Sequence, residues 1–213
     1  MENFVNTNIY SYLKYYLKKY QFDKKDLESV SKISLSSEDI SGKFISNSLE
    51  DLKNFENLLE LSLSKYLLNG DNLDIISRLN YIEKYTFQDC EFQDNIKLSG
   101  DRVNLYHCQG VHHIEFNDFK NIYFENIDLK NLKIKCQYLK LSYCQNLNQT
   151  NLICDKIEIK KMDLNKEDID YIQKIANYTN FIKVATDDKD AINYLNGYAN
   201  IEIGSSLSGE NVG

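Results

Sequence analysis

The feature that most constrains this chain of 213 residues is an apolar-polar-apolar triplet that recurs along its length. Such alternation predicts a strand with one buried face. The triplets are ISL (33–35), LSL (61–63), YTF (85–87), VNL (103–105), IYF (122–124), LKL (139–141), IEI (157–159), IKV (182–184) and IEI (201–203). From YTF to the seventh triplet the steps are 18, 19, 17 and 18 residues. This spacing predicts a solenoid, in which each unit buries its apolar face against its neighbours.

A second column of triplets lies between the first ones in the middle of the chain. It consists of IKL (96–98), IEF (114–116) and LKI (132–134), which are 18 residues apart. Two short strands in each repeat leave no room for a helix. We therefore expect short repeat units in the middle of the chain, which we call rungs and which together resemble a flattened parallel β-solenoid.

Before these rungs, apolar residues recur at steps of three in LEDLKNFENLLELSLSKYLL (49–68) and LDIISRLNYIEKYTFQDCEF (73–92). This L-x-x-L-x-x-L-x-L pattern resembles the leucine-rich repeat family. The resemblance covers residues 30 to 203 and implies an α/β solenoid with one parallel sheet. It also implies a non-enzymatic scaffold that binds a partner through its exposed strand face, because the family serves mostly as binding scaffolds.

Helical patterns flank the repeats. Apolar residues from Ile9 to Tyr20 have helical spacing, with Thr7 or Asn8 as the cap, and a short helix is expected in 23–30. Further helices are expected in 165–178 and 188–197, the latter capped by Asp187 or Asp188 and ended by Gly197. The predicted organisation is a helical N-terminal cap (1–30), a solenoid that ends in helix-strand units (31–204) and a disordered tail (205–213).

The composition limits the classes of partner. The chain is 42% hydrophobic and 27% charged, which is typical of globular proteins, and its net charge of −7 disfavours nucleic acid as a partner. No apolar run is long enough to span a bilayer, and the N-terminus lacks the features of a secretion signal. An odd number of cysteines, five, favours a reducing compartment. We therefore expect a cytoplasmic protein with a protein partner and no membrane contact.

The cysteines and histidines raise the question of a metal or thiolate site. Cys90, Cys108 and Cys144 each follow a main triplet by three residues, and Ile127 and Met162 occupy the same position in other repeats. A column that mixes Cys with Ile and Met predicts buried packing residues rather than nucleophiles. Strand spacing would allow Cys90 and Cys108 to reach disulfide range, but we expect reduced thiols.

The three histidines are crowded into LYHCQGVHH (105–113). His107 precedes the inward Cys108 and should point outward, whereas His112 and His113 lie across the turn before IEF. Ligands that point to different sides do not close a tetrahedral zinc site, so we expect no metal. The sequence also lacks the phosphate-binding, zinc-protease and serine-hydrolase motifs, so we expect no cofactor.

The remaining candidate is the outward face of the main triplets, because side chains alternate along a strand. Its candidate binding residues are Arg102, Asn104, Tyr106, Tyr123, Glu125, Lys140 and Glu158. Tyr106 and Tyr123 are expected side by side, flanked by Arg102 and Glu125. Tyrosine and arginine anchor protein interfaces, although tyrosine is also favoured in strands for its own sake.

Two other functions remain open at this stage. The charge of −7 fits an acidic inhibitor or immunity-type protein that neutralises one basic partner, whose association would slow with salt. Parallel β-solenoids also host carbohydrate-active enzymes, which need paired carboxylates. Glu125 and Glu158, two rungs and roughly 10 Å apart by strand spacing, are the only pair considered for that role.

Overall fold

The computed structural model of the protein describes residues 4, 6–37, 48–79 and 82–205. The α-helices in these residues are α1 (Thr7–Leu17), α2 (Lys24–Glu28), α3 (Gly70–Ser77), α4 (Lys166–Ala176) and α5 (Lys189–Leu195), and short 3-10 helices lie at Glu50–Asn54, Val111–His113 and Leu147–Gln149. The strands are β1 (Lys32–Ser36), β2 (Glu60–Ser64), β3 (Leu67–Leu68), β4 (Lys84–Gln88), β5 (Glu91–Phe92), β6 (Ile96–Ser99), β7 (Arg102–Tyr106), β8 (Ile114–Asn117), β9 (Asn121–Glu125), β10 (Lys133–Ser142), β11 (Asn151–Lys160), β12 (Phe181–Ala185) and β13 (Ile201–Gly204). Apart from Ser205, the predicted disordered tail (205–213) lies outside the described residues.

Nine of these strands form one all-parallel sheet in the order β1-β2-β4-β7-β9-β10-β11-β12-β13. Each predicted main triplet lies in one of them, and the pairing aligns the triplets. Tyr85, for example, pairs with Leu61 on one side and with Val103 on the other. The chain is therefore an α/β protein whose sheet strands are neighbours in sequence, a solenoid-like arrangement, as predicted.

The alternation within each triplet decides which side chains are buried. Inward residues such as Leu61, Val103 and Ile122 have no exposed surface, whereas the residues between them point outward. Removing one such aliphatic side chain from water stabilises the fold by about 1.5–3 kcal/mol. This burial holds the outward side chains on a fixed backbone.

The second column differs in part from the expectation. Strands β6 and β8 pair as predicted, but LKI (132–134) is not a separate strand, because it continues into the ten-residue β10. The earlier rungs bend at Gly100 and at Asp118, which has φ 56°, whereas the residues of β10 keep extended alternation. The first half of β11 extends this column, with Leu152 beside Ile134.

A left-handed residue directly follows six strands of the main sheet, β2, β4, β7, β9, β10 and β11. Lys65, Asp89, His107, Asn126, Tyr143 and Lys161 follow their strands directly and have φ between 50° and 59°. A left-handed residue reverses the strand alternation, so the next side chain turns inward. Those next side chains are Tyr66, Cys90, Cys108, Ile127, Cys144 and Met162, and all six are buried. The predicted inward column of cysteines is confirmed.

Helix α1 covers the first edge of the sheet. The predicted cap at Thr7 or Asn8 is wrong, since the side chain of Asn6 accepts from the backbone N–H groups of Asn8 and Ile9. The Asn8 side chain instead donates to the Ser36 carbonyl at 3.2 Å, and Tyr12 Oη donates to the Lys32 carbonyl at 2.7 Å. These bonds satisfy acceptors at the edge of β1 that have no strand partner.

The C-terminal helix-strand units follow the prediction. Asn165 caps α4, and Asp188 caps α5, which ends at Leu195 shortly before Gly197 with φ 114°. Residues Asp168 and Asn165 form a reciprocal capping box at the start of α4. In the described parts of the chain, no helix combines the length and the apolar composition that crossing a membrane requires.

Candidate functional site

We call the outward side chains of the nine parallel strands the strand face. In-register pairing arranges them in three rows that cross the strands, about 4.8 Å from one strand to the next. The first row is Lys32, Glu60, Lys84, Arg102, Asn121, Tyr138, Lys156 and Phe181. The middle row is Ser34, Ser62, Thr86, Asn104, Tyr123, Lys140, Glu158, Lys183 and Glu202. The third row is Ser36, Ser64, Gln88, Tyr106, Glu125, Ser142, Lys160, Ala185 and Gly204.

All seven candidate binding residues lie on the strand face. Arg102 is exposed, and Tyr106, Tyr123, Glu125, Lys140 and Glu158 are half-buried. The expected exposure of Asn104 is wrong: only 9% of its surface is accessible. Its short side chain stands in register between Thr86 and Tyr123 and donates to Thr86 Oγ1 at 3.3 Å. Asn104 therefore supports its neighbours more than it meets a ligand.

The expected side-by-side placement of Tyr106 and Tyr123 needs correction. The register sets Tyr106 opposite Glu125 and Tyr123 opposite Asn104, so the two tyrosines are diagonal neighbours. They occupy different rows because Tyr106 ends its strand, whereas Tyr123 is the middle residue of its triplet.

A cluster of rings and cations occupies the centre of the strand face. The rings of Tyr123 and Tyr138 meet edge to face, with centroids 5.7 Å apart and planes at 75°. The Arg102 guanidinium lies 5.4 Å from the Tyr123 centroid. Lys156 Nζ lies 5.4 Å from the Tyr138 centroid and 5.3 Å from that of Phe181. We call these five residues the aromatic-cation cluster.

Three members of this cluster were missed in the sequence: Tyr138, Lys156 and Phe181. Each precedes its triplet by one residue, which is the position that Arg102 occupies in its own strand. Extending every triplet by one residue in the same register would have placed them in one row. The relevant signal was therefore present in the register of the main triplets.

Glu158 is held in its charged form by its neighbours. Burial by itself raises the pKa of this carboxyl, but hydrogen bonds from the Tyr138 hydroxyl and from Lys160, at 3.0 Å, lower it below its ordinary value. Burial, assisted by the Glu158 carboxylate, also holds the pKa of Tyr138 far above its usual range. At neutral pH the pair is therefore a neutral phenol that donates to a carboxylate.

The cysteines of the inward column lack the setting of a nucleophile. The Sγ atoms of Cys90 and Cys108 lie 3.4 Å from the carbonyl oxygens of Leu63 and Phe87, to which they donate. Burial raises the pKa of Cys144 to about 11 and holds that of Cys108 well above its usual value. Cys108 and Cys144 are therefore thiols at neutral pH, whereas nucleophilic cysteines need a stabilised thiolate. Burial also acts to raise the pKa of Cys90, but hydrogen bonds, the first of them with Cys108, lower it; its side chain has no exposed surface from which to attack a substrate.

A second pair of thiols lies in the second column. Cys136 on β10 stands beside Cys154 on β11, with their Sγ atoms 3.4 Å apart. The hydrogen bond with Cys154, together with burial, holds the pKa of Cys136 far above its usual range. All five cysteines are buried free thiols in this structure. The pair that the sequence singled out was Cys90 and Cys108, because the continuation of the second column into β11 was not recognised.

The histidines point to different neighbours. His107 is exposed, as expected, and its Nδ1 lies 3.3 Å from Asp89 Oδ1. His113 Nδ1 lies 3.0 Å from Asn95 Oδ1, and the rings of His112 and His113 are 4.1 Å apart. Within residues 4, 6–37, 48–79 and 82–205, no group of three or more histidine, cysteine, aspartate or glutamate side chains is placed to hold a metal ion.

A groove of about 1000 Å³ lies on the second column, away from the strand face. Its lining includes Lys133, Lys135 and Ile153, whose side chains are exposed. Lys97 and Glu115, also in the lining, form an ion pair of 2.9 Å across β6 and β8. The exposed residues of this groove supply a reference surface for experiments on the strand face.

Known proteins give no further guide to this site. The chain matches no family model, no curated protein and no solved structure.

Proposed function

We propose that this protein is a non-enzymatic, cytoplasmic scaffold that binds a protein partner through its strand face. The proposal depends on one observation, the aromatic-cation cluster on a sheet whose central strands are paired on both sides. Tyrosine and arginine are among the residue types that contribute most to protein binding, and a rigid backbone reduces the entropy that is lost when a partner docks. The resemblance to leucine-rich repeats supports the same use of the sheet.

The other chemistry of the strand face favours binding over catalysis. A glycosidase acid needs a raised pKa, whereas the environment of Glu158 lowers the pKa of its carboxyl. Glu125 lies two strands from Glu158, and Lys140 stands between these strands in register with Glu158. In this arrangement the Glu158 carboxylate is better suited to orienting a partner by its charge than to transferring a proton.

The proposal is tested by capture of partners from the native cells. The tagged wild-type protein and the variant Tyr123→Ala/Tyr138→Ala are used as baits, and captured proteins are quantified by mass spectrometry. Loss of two anchor rings should weaken a specific partner by about 2 kcal/mol or more, roughly 30-fold. Purified partner and titration calorimetry then give the dissociation constants directly.

The control replaces two tyrosines off the strand face, Tyr178→Ala/Tyr194→Ala, whose side chains are 53% and 59% exposed. This control should retain the partner. Tyr106→Ala/Tyr123→Ala serves as a second strand-face variant, because it leaves the bond between Tyr138 and Glu158 intact. If folded strand-face variants bind every partner as tightly as the wild type, the proposal is wrong.

A further inference from the structure

The charge of the chain is divided unevenly between the strand face and the rest of the molecule. The three rows contain seven cations and four carboxylates, a net charge of +3. Since the whole chain carries −7, everything outside the strand face carries −10. An acidic protein thus presents a cationic sheet.

The net positive charge of the strand face comes entirely from the first row. That row has four cations and one carboxylate, whereas the middle row has two of each and the third row one of each. Lys32 and Lys84 share the carboxylate of Glu60, at 3.3 and 3.5 Å. Arg102 and Lys156 contact aromatic rings and are both exposed. They are the cations of this row that a ligand can use.

The positions of these two cations define a distance. Arg102 is on β7 and Lys156 on β11, with β9 and β10 between them, so three strand spacings of about 4.8 Å separate their backbones by about 14 Å. An extended peptide advances about 3.3–3.6 Å per residue, and alternate side chains share one side. Residues i and i+4 of such a peptide therefore match the spacing of Arg102 and Lys156.

We propose that the strand face binds an extended acidic protein segment that crosses the strands along the first row. This inference depends on the proposed function and specifies the partner. Carboxylates at positions i and i+4 pair with Arg102 and Lys156, and an apolar side chain at i+2 packs on the rings of Tyr123 and Tyr138. Charge complementarity selects the segment, and the rings supply its apolar contact.

Two features favour a protein segment over single-stranded nucleic acid. Base stacking needs open, parallel ring faces, whereas Tyr123 and Tyr138 meet at 75° and each has a cation over its ring. Carboxylates also border the first row one residue earlier in the chain, at Glu83, Asp101 and Asp155, of which Asp101 is paired with Lys120 at 2.9 Å. They would repel a continuous phosphate backbone more than a peptide with two spaced charges.

The test uses fluorescently labelled peptides at low salt. One eleven-residue peptide carries Asp at i and i+4 and Leu at i+2 in a Thr/Ser background; a second has the same composition with the Asp residues at i and i+3, which places them on opposite sides. Because the second peptide loses one exposed ion pair, worth up to about 1 kcal/mol, the first peptide should bind about two- to fivefold more tightly. Arg102→Glu/Lys156→Glu should remove this preference, whereas Lys133→Glu/Lys135→Glu, with the same change of charge in the second column, should keep it.

The outcomes separate this inference from the proposed function. Equal affinity for the two peptides, or a preference unchanged by Arg102→Glu/Lys156→Glu, overturns the acidic segment. Tighter binding of a labelled oligothymidine than of the first peptide also overturns it, in favour of nucleic acid. If one of these results is found while partner capture still depends on Tyr123 and Tyr138, the proposed scaffold function is retained and only the preference for an acidic segment is wrong. If capture is independent of these tyrosines as well, both fail.

Discussion

Gly110 shows how closely neighbouring rungs approach at the scale of a single residue. Its φ is 67°, and a Cβ atom added to it would lie 2.0 Å from the carbonyl oxygen of Phe92 on the preceding rung. Contacts this short with a backbone atom cannot be relieved by rotating a side chain. The turn that carries the histidines is therefore fixed by a glycine.

Gly110→Ala should lower the free energy of unfolding by roughly 2–4 kcal/mol, because the rungs must separate and the alanine is strained. Gly197→Ala is the matched control: its φ is 114°, but no atom lies within 4 Å of the added Cβ. Gly197→Ala should lower the free energy of unfolding by about 1–2 kcal/mol, because only the backbone conformation is strained. Urea unfolding measures both, and equal losses would contradict the close approach of the rungs.

The free energy of unfolding at alkaline pH should depend on the ionisation of Tyr85. Burial raises the pKa of this phenol to about 12, whereas the unfolded chain has an ordinary value of about 10. The folded state thus holds the proton more tightly, so the full stability is present below pH 10. As the pH rises from 10 to 12, the free energy of unfolding should fall by up to about 1.4 kcal/mol per pH unit. In Tyr85→Phe the decrease that comes from this phenol should be absent. If the free energy of unfolding of that variant falls with pH as steeply as that of the wild type, Tyr85 is not the group responsible.

The thiols can be counted directly. All five cysteines are free, including Cys136 and Cys154 with their Sγ atoms 3.4 Å apart. Titration with a thiol reagent after unfolding under non-reducing conditions should recover five groups per chain. Recovery of three would show a disulfide, and peptide mapping would then identify the pair.

At the scale of elements, the sequence is most informative where burial is strictly periodic. The main triplets predicted nine strands and their register because each inward residue meets its equivalent in the next rung. The sequence pattern was less informative where contacts between residues distant in the chain determine the structure. It did not predict the cap at Asn6, the continuation of LKI into β10 or the burial of Asn104. Tyr138, Lys156 and Phe181 were missed because their contacts form only when five strands, β7, β9, β10, β11 and β12, lie side by side.

Helix α1 should contribute to stability as the cover of β1. Leu13 has no exposed surface, whereas Tyr15 on the same helix is 85% exposed. Leu13→Ala should lower the free energy of unfolding by about 2–5 kcal/mol, since it leaves a cavity between α1 and the sheet. Tyr15→Ala should change it by no more than about 0.5 kcal/mol. Similar values for the two variants in urea unfolding would show that α1 is not docked.

At the scale of the whole molecule, the separation of charge distinguishes two kinds of partner. An acidic segment would be attracted to the strand face at +3, whereas a basic protein neutralised by an immunity-type mechanism would meet the remainder at −10. Both associations should weaken with salt. Salt dependence alone therefore does not separate the scaffold from an acidic inhibitor, but the surface that contacts the partner does.

Site-specific photo-crosslinking in the native cells measures that surface most directly. A photoreactive phenylalanine analogue replaces Tyr106 or Lys140 on the strand face, and Ile153 or Tyr194 elsewhere; Ile153 and Tyr194 are 56% and 59% exposed. If the strand face binds the partner, one and the same protein is joined to positions 106 and 140 and not to positions 153 and 194. A partner joined to position 153 or 194 but to neither strand-face position would contradict binding through the strand face.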